Sequence, residues 1–371
     1  MSKLNREPLL HITKRKELPL AKTWAIRIGA IVAALIVCAI VTTAMTGLDP
    51  FSVFGTMIYG AVGTERKTWI LLKELAVLLS VALALTPAFK MKFWNLGGEG
   101  QILVGAWATA LCMIYMGDVI PSGLLILVCL AAAILCGAVW AMIPAFFKAK
   151  WNTNETLFTL MMNYVAIQLV AYFVIIWEVP KGSGQVGIIN QSTNAGWLPY
   201  IGTNSYILVI LFVAVITAGM FVYLKYSKHG YEISVVGESE NTARYIGINV
   251  KKVIIRTMLL SGAVCGIAGL LLVGGTNHTI TTSTADGRGF TAIMVAWLAK
   301  FNPLYMIFTS FLLVFLDRGS SEIADVYRLN HAFADIISGI ILFFIIGSEF
   351  FINYKPIFRT GRHETLSKEA A

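Results

Sequence analysis

Charged residues are scarce in this chain of 371 residues. They make up 13% of it, whereas 57% of the residues are hydrophobic and the mean hydropathy is +0.74. Soluble globular domains carry about 25% charged residues. The composition therefore excludes the two or three soluble domains that the length alone would suggest, and it predicts a polytopic membrane protein.

Motifs for enzymatic chemistry are also absent. The sequence holds no Gly-x-x-x-x-Gly-Lys-Ser/Thr loop, no Gly-x-Ser-x-Gly elbow and no His-Glu-x-x-His pair, which excludes the usual ATPases and hydrolases. The glycine spacing at 182–187 follows Pro180 in a predicted outer loop and lacks the acidic partner of a dinucleotide site. The five cysteines lie singly in apolar runs. We therefore expect no catalytic residue, metal site or cofactor in this chain.

Apolar runs of membrane-spanning length recur along the chain, and each needs about 20 residues to cross as a helix. Ten predicted crossings lie at 24–45, 68–89, 102–116, 121–147, 156–177, 206–224, 258–275, 290–299, 304–316 and 333–352. The run 290–299 is too short to span alone, which indicates a half-helix or one extended by its flanks. The predicted fold is therefore an all-α polytopic membrane protein with about ten transmembrane helices, one or more of them broken or half-helices. A topology with eight or nine crossings is the alternative.

The basic residues support this topology. With ten crossings, most of the 29 lysines and arginines fall on one side of the membrane, as the positive-inside rule requires of the cytoplasmic side. Both termini are then cytoplasmic, with a basic tail over 1–23, a transmembrane domain over 24–352 and a second tail over 353–371. The net charge of +9 is explained by basic residues at the cytoplasmic surface of the membrane, so it is not a reason to expect a nucleic-acid partner.

Residues 225–256 form the one long polar island between two apolar runs. Six of them are lysine or arginine, which places the island on the cytoplasmic side. The stretch from Ser239 to Arg244 is typical of a capped helix start, and Gly247 is a suitable stop. A short amphipathic helix between two spans suits docking to a soluble partner. An ordinary solvated basic loop is the alternative.

A glycine-rich stretch at 93–101 is the second polar feature. Its three glycines in four positions disfavour a continuous helix, and Asn95, Glu99 and Gln101 are costly at membrane depth unless they face a cavity or one another. Broken backbone is tolerated there when it is buried in protein or lines an aqueous path. We predict a discontinuous segment near a translocation pathway, with a cytoplasmic turn and a helix start at Gly100 as the alternative.

Two further features leave alternatives open. Asn163 and Gln168 lie in one span and either line a path or bond across helices. Gly262 and Gly266 permit close helix approach, either inside the chain or between subunits.

Four motifs in order resemble the permease subunits of ABC importers in the branched-chain amino acid, ribose and nucleoside group. They are NLGGEGQ at 95–101, Asn154-Glu155 with MMNY at 161–164, VGESENTARYIGINV at 236–250, and GRGFTAIMVAWL at 287–298 with Asn302-Pro303. Leu96 stands where the first motif usually has isoleucine, and Gly98 takes its variable position. Nucleoside and simple-sugar permeases are the branch that these motifs resemble most.

The resemblance implies the membrane-spanning subunit of an ATP-driven importer in a bacterial plasma membrane, moving a small polar solute such as a nucleoside. It implies three kinds of partner: a separate ABC ATPase subunit that binds ATP and magnesium, a second permease subunit that is identical or similar, and an external substrate-binding lipoprotein. A simple-sugar importer is the alternative. An ion-coupled secondary carrier is another, for which Lys73, Glu74 and Glu99 are the only charged candidates and are expected near span ends.

The expected functional residues form two sets. The translocation pathway set is Asn95, Glu99, Gln101 and Asn163. The ATPase coupling set lies in the island and comprises Glu232, Gly237, Glu238, Arg244 and Gly247.

Overall fold

A computed structural model describes residues 10–15, 18–202 and 204–358. In chain order its elements are β1 (Leu10–Lys14), α1 (Leu20–Thr46), α2 (Pro50–Val62), α3 (Glu65–Lys90), α4 (Gly98–Met116), α5 (Ser122–Trp151), α6 (Glu155–Trp177), α7 (Ile207–Tyr226), α8 (Lys228–Glu238), α9 (Glu240–Tyr245), α10 (Val250–Leu272) with a π-helical turn (Val273–Asn277), α11 (Arg288–Leu298), α12 (Pro303–Tyr327), α13 (His331–Asn353) and β2 (Tyr354–Phe358). The all-α polytopic prediction is confirmed.

Within the described residues, eight helices are long and apolar enough to cross a membrane, namely α1, α3, α4, α5, α6, α7, α13 and α10 with its π-helical turn. The other two predicted crossings correspond to α11 and α12. With 11 residues, α11 is about 16 Å long, roughly half of the hydrocarbon thickness, so it is a half-helix as predicted. The helix α12 runs beyond the predicted end at residue 316, because its charged second half, with Asp317, Arg318 and Glu322, continues the same helix.

The described residues divide into two compact units. The first contains the chain up to Ala61 and from Leu316 onward, and the second contains 62–315. In the first unit α1 packs along α13, and Arg27 forms an ion pair with Glu349. The strands β1 and β2 pair antiparallel, with Leu10 opposite Phe358. This small sheet was not predicted, and it joins parts of the two predicted tails.

The helix α10 is the centre of the second unit, since it is buried and packs against α3, α4 and α5. Glycines make this packing possible. A Cβ atom on Gly262 would meet the Gly137 carbonyl oxygen of α5, and one on Gly266 would meet the Ala133 carbonyl oxygen. The close approach expected from Gly262 and Gly266 therefore serves packing within the chain, which resolves that alternative.

We expect Gly262→Ala to lower the thermal unfolding midpoint of the purified chain in detergent. The added methyl group would overlap α5, and overpacking of this kind costs about 1–3 kcal/mol. Gly219→Ala in α7 is the matched control, because no atom lies within 4 Å of the added Cβ. Equal midpoints for the two variants would contradict the packing argument.

Candidate functional site

The α3–α4 turn, residues 91–97, is held by a buried amide network. Asn95 is 0% exposed, and its Oδ1 accepts hydrogen bonds from the Gly97 N–H at 3.0 Å and from Gln101 Nε2 at 3.2 Å. Its Nδ2 donates to Ser261 Oγ on α10 at 3.2 Å. Asn95 is therefore bonded through both ends of its amide, whereas Gln101 donates to Asn95 and has a buried Oε1 with no hydrogen-bond partner among the described residues. Polar groups that bond to one another in this way are tolerable at membrane depth.

Asn163 on α6 fixes the same turn from the other side. Its Oδ1 accepts the Gly100 N–H at 2.8 Å, and its Nδ2 donates to the Leu96 carbonyl oxygen at 2.8 Å. Thr159, one turn earlier on α6, accepts the Leu96 N–H at 3.1 Å. The structure thus shows Asn163 bonding across helices. The helix α4 begins at Gly98, four residues before the predicted crossing at 102 and two before the alternative start at Gly100, and Gly100 in its first turn lies against Asn163 of α6.

Glu99 binds the beginning of the half-helix α11. Its Oε1 accepts the Gly287 N–H and its Oε2 accepts the Gly289 N–H, both at 2.8 Å. The first N–H groups of a helix have no partner within the helix, and the helix dipole favours a negative charge there. Gly287 has φ of +68°, a conformation that glycine adopts without strain. The carboxylate therefore joins α4 to α11 through backbone groups.

An ion cluster joins α11 to α3, and the sequence reasoning missed it. Arg288 lies 2.6 Å from Glu74 Oε2, and Lys73 lies 3.0 Å from the other oxygen of Glu74. Glu74 stands nine residues into α3, about 14 Å from its beginning. Two cations thus compensate the charge of Glu74 within the long apolar helix α3.

The segment that precedes α11 is rich in hydroxyl groups, and it too was not predicted as part of a site. Thr282 and Ser283 are exposed, as is Asp286, whereas Thr284 is buried and accepts the Thr281 N–H at 2.8 Å. The four consecutive residues from 281 to 284 carry hydroxyl side chains. The feature of the sequence that could have revealed this segment is the hydroxyl run itself, which ends two residues before the GRGF motif.

At its other end α11 lies against aromatic rings. Trp297 stacks on Trp94 of the α3–α4 turn, with ring centroids 5.6 Å apart, and both indoles are about half exposed. Phe89, near the end of α3, contacts both of them edge-on. The half-helix therefore runs from Glu99 toward the end of α3, where Lys90 and the other basic helix ends gather.

The polar island forms two short helices where one was predicted. The predicted capped start at Ser239 is confirmed, because its side chain accepts the Thr242 N–H at 3.2 Å, and α9 stops before Gly247, whose φ is +85°. The additional helix α8 is capped by Ser227, which accepts the Gly230 N–H at 3.0 Å. Together α8 and α9, with the ends of α3 and α5, form what we call the basic end of the second unit.

The five residues of the predicted coupling set have different environments. Glu238, Arg244 and Gly247 are exposed, with Arg244 in an exposed ion pair to Glu240 at 3.2 Å. Glu232 accepts a 2.7 Å hydrogen bond from Arg256, and that bond is the main cause of the lowered pKa of Glu232. Gly237 is buried, and a Cβ atom there would overlap the Lys90 carbonyl oxygen at the end of α3.

Comparison with protein families decides the wider assignment. The family described as "Branched-chain amino acid transport system / permease component" matches residues 69–346, which is most of the chain. The chain belongs to this permease family. The match includes α4 to α11 and all of α3 except its first four residues.

Characterised relatives include nucleoside and sugar permeases. The permease is 27% identical to the glucose ABC transporter permease protein TsgB13 of Haloferax volcanii over 93% of both chains. It is 27% identical to the guanosine ABC transporter permease protein NupP of Bacillus subtilis, over 91% of this chain and 95% of that one. It is 25% identical to the nucleoside ABC transporter permease protein NupB of Lactococcus lactis, over 85% of this chain and 88% of that one. The resemblance that the four motifs indicate is confirmed.

We expect Glu99→Gln to loosen α11. The glutamine amide offers one good acceptor where the carboxylate offers two charged ones, so the anchoring of α11 weakens by about 1–2 kcal/mol. Hydrogen–deuterium exchange of the peptide covering 287–298 should accelerate severalfold. Glu65→Gln at the exposed beginning of α3 is the control. Unchanged exchange in the Glu99 variant would show that the carboxylate does not hold α11.

Proposed function

We propose that the permease is the membrane-spanning subunit of an ATP-driven importer that carries nucleosides across a bacterial plasma membrane. The observation that carries this proposal is the family match together with two relatives named as guanosine and nucleoside permeases. The chain itself contains no phosphate-binding loop for ATP. ATP and magnesium are therefore assigned to a separate ABC ATPase subunit, with a second permease subunit and an external binding lipoprotein completing the importer.

The exposed face of α9 is suited to hold the ATPase subunit. Ala243 is buried and seats the helix, while Tyr245 is 92% exposed and Ile246 is 51% exposed. Exposed aromatic and arginine side chains are typical anchors of protein interfaces. Arg244 and Glu238 provide charge beside them. Gly237 and Glu232 have another role in this proposal, because their contacts hold α8 against α3 and α10.

The proposed path for the solute passes the segment 281–287 and the beginning of α11. Hydroxyl and carboxylate groups there are exposed, and a nucleoside or a sugar offers several hydroxyls to bond with them. Half-helices whose ends lie at membrane depth form substrate sites in other transporters. Glu99 would line this path directly. Asn95, Gln101 and Asn163 would shape it by holding the α3–α4 turn.

We propose that transport proceeds by alternating access. ATP-driven closure of the ATPase subunits would push on α9 and α8. Because Gly237 lies directly on the Lys90 carbonyl oxygen, α8 would transmit that push to the end of α3 and to the adjoining α3–α4 turn. The turn is bonded to α6 and α10, so its displacement would move the surroundings of α11.

We expect Arg244→Glu to uncouple the importer. A reversed charge at the ATPase contact should lower solute uptake about tenfold, while membrane insertion and ATP hydrolysis persist. Uptake and hydrolysis are measured on the same reconstituted complex. Arg66→Glu, an exposed charge reversal at the beginning of α3, is the control and should leave both rates unchanged. Normal uptake by the Arg244 variant would remove Arg244 from the contact.

We expect the reconstituted complex to take up guanosine and other nucleosides in an ATP-dependent manner. The similarity to a glucose permease makes a simple sugar the second candidate, so labelled glucose and ribose are tested in parallel. Sugar uptake without nucleoside uptake would show that the substrate is a sugar, and it would remain consistent with an ATP-driven importer. Uptake that needs an ion gradient instead of ATP would overturn the importer itself.

A further inference from the structure

A cationic cavity opens at the basic end of the second unit. It has a volume of about 220 Å³ and lies between the end of α5, the helix α9 and the beginning of α10. Its polar lining consists of Lys148, Lys150, Asn152, Glu240, Arg244 and Lys251. Four of these six side chains are cationic and one is acidic.

The positive charge in this cavity is only partly balanced within the chain. Lys148 pairs with Glu155 at 2.9 Å, and Arg244 pairs with Glu240 at 3.2 Å. No carboxylate among the described residues forms an ion pair with Lys150 or Lys251. These two lysines therefore leave the cavity with an excess of positive charge.

The beginning of α10 adds to this excess. Its first turn contains Lys251 and Lys252 and no acidic residue, although a helix N-terminus carries partial positive charge and favours anions. Asn249 caps the helix by accepting the Lys252 N–H at 3.1 Å, which satisfies one N–H but supplies no charge. An anion bound in the cavity would stabilise both the lysines and the helix end.

An apolar groove starts beside the cavity. Asn152 lines the cavity, and the next two residues, Thr153 and Asn154, line a groove of about 380 Å³ that continues along α6. Its apolar lining is Leu157, Phe158, Met161, Met162 and Val165. From Leu157 to Val165 the helix rises about 12 Å, which is close to half of the hydrocarbon thickness of a bilayer.

We propose that the cavity and the groove together bind one anionic phospholipid of the cytoplasmic leaflet. The phosphate-bearing head group lies among Lys150, Lys251 and Lys148, and an acyl chain lies along α6. Basic pockets between helices on the cytoplasmic side are suited to anionic head groups. The Lys150 ammonium lies 4.6 Å from the ring centroid of the neighbouring Trp151, and tryptophan is a residue type that anchors helices at the membrane interface.

Native mass spectrometry of the full chain in detergent tests this site. Phosphatidylglycerol and phosphatidylcholine with identical acyl chains are added in equal amounts, and the lipid-bound fractions are compared. The unaltered chain should prefer phosphatidylglycerol about twenty-five-fold, since Lys150 and Lys251 each contribute about a factor of five. The double variant Lys150→Gln, Lys251→Gln should lose this preference.

A matched control separates the cavity from the general basic rim. The double variant Lys225→Gln, Lys228→Gln removes the same charge from exposed positions outside the cavity lining and should keep the preference. An equal loss in both double variants would overturn the proposal. Thermal unfolding midpoints of both variants confirm that each is folded before lipid is added.

The groove and the chemistry of the anion are tested separately. Met161→Gln should reduce the bound fraction of both lipids, and glycerol 3-phosphate and inorganic phosphate should bind far more weakly than phosphatidylglycerol because they lack an acyl chain. Phosphate binding as tight as lipid binding would indicate a free phosphate site. Lipid binding unaffected by Met161→Gln, together with a disulfide-linked dimer of Met161→Cys, would assign the groove to a second copy. Either result overturns the lipid site.

Discussion

Backbone groups that leave a helix inside a buried core need hydrogen bonds from the protein, since no water replaces them there. In the second unit this constraint falls on the α3–α4 turn and on the beginning of α11. Asn95 and Asn163 bond to the backbone of the turn, and Glu99 bonds to the backbone of α11. A chain break at this depth is thereby stable, and the half-helix that follows has a fixed starting point beside exposed hydroxyl groups.

Local patterns in the sequence predicted much of the architecture. Apolar runs located the eight long apolar helices, shortness identified α11 as a half-helix, and Ser239 with Gly247 marked both ends of α9. The contacts of the site could not be predicted this way. Glu99 and Gly287 are 188 positions apart, and Arg288 and Glu74 are 214 apart. Such pairs depend on how distant helices pack, and no periodicity carries that information.

Each of the two predicted residue sets contains both exposed residues and buried residues that hold neighbouring elements in place. Glu238 and Arg244 are accessible to another protein, whereas Gly237 is enclosed against α3. In the pathway set the buried Gln101 donates a hydrogen bond to the buried Asn95, and Glu99 alone combines partial exposure with a direct bond to α11. The residue type alone therefore does not tell whether a polar side chain is exposed or supports its surroundings; the packing of the helices decides this.

In the proposed coupling mechanism, the junction between Gly237 and the Lys90 carbonyl oxygen would act mainly in one direction. Closely packed atoms repel steeply when pressed together, but they attract each other only weakly when drawn apart. A movement of α8 toward α3 would therefore be passed on directly. In the opposite direction, the apolar contacts of the cluster that includes Ile233 and Met91 would link the two elements more weakly. If the proposed coupling is correct, this contact transmits compression better than tension, and the return movement of α3 would depend on the membrane-embedded helices rather than on a pull from α8.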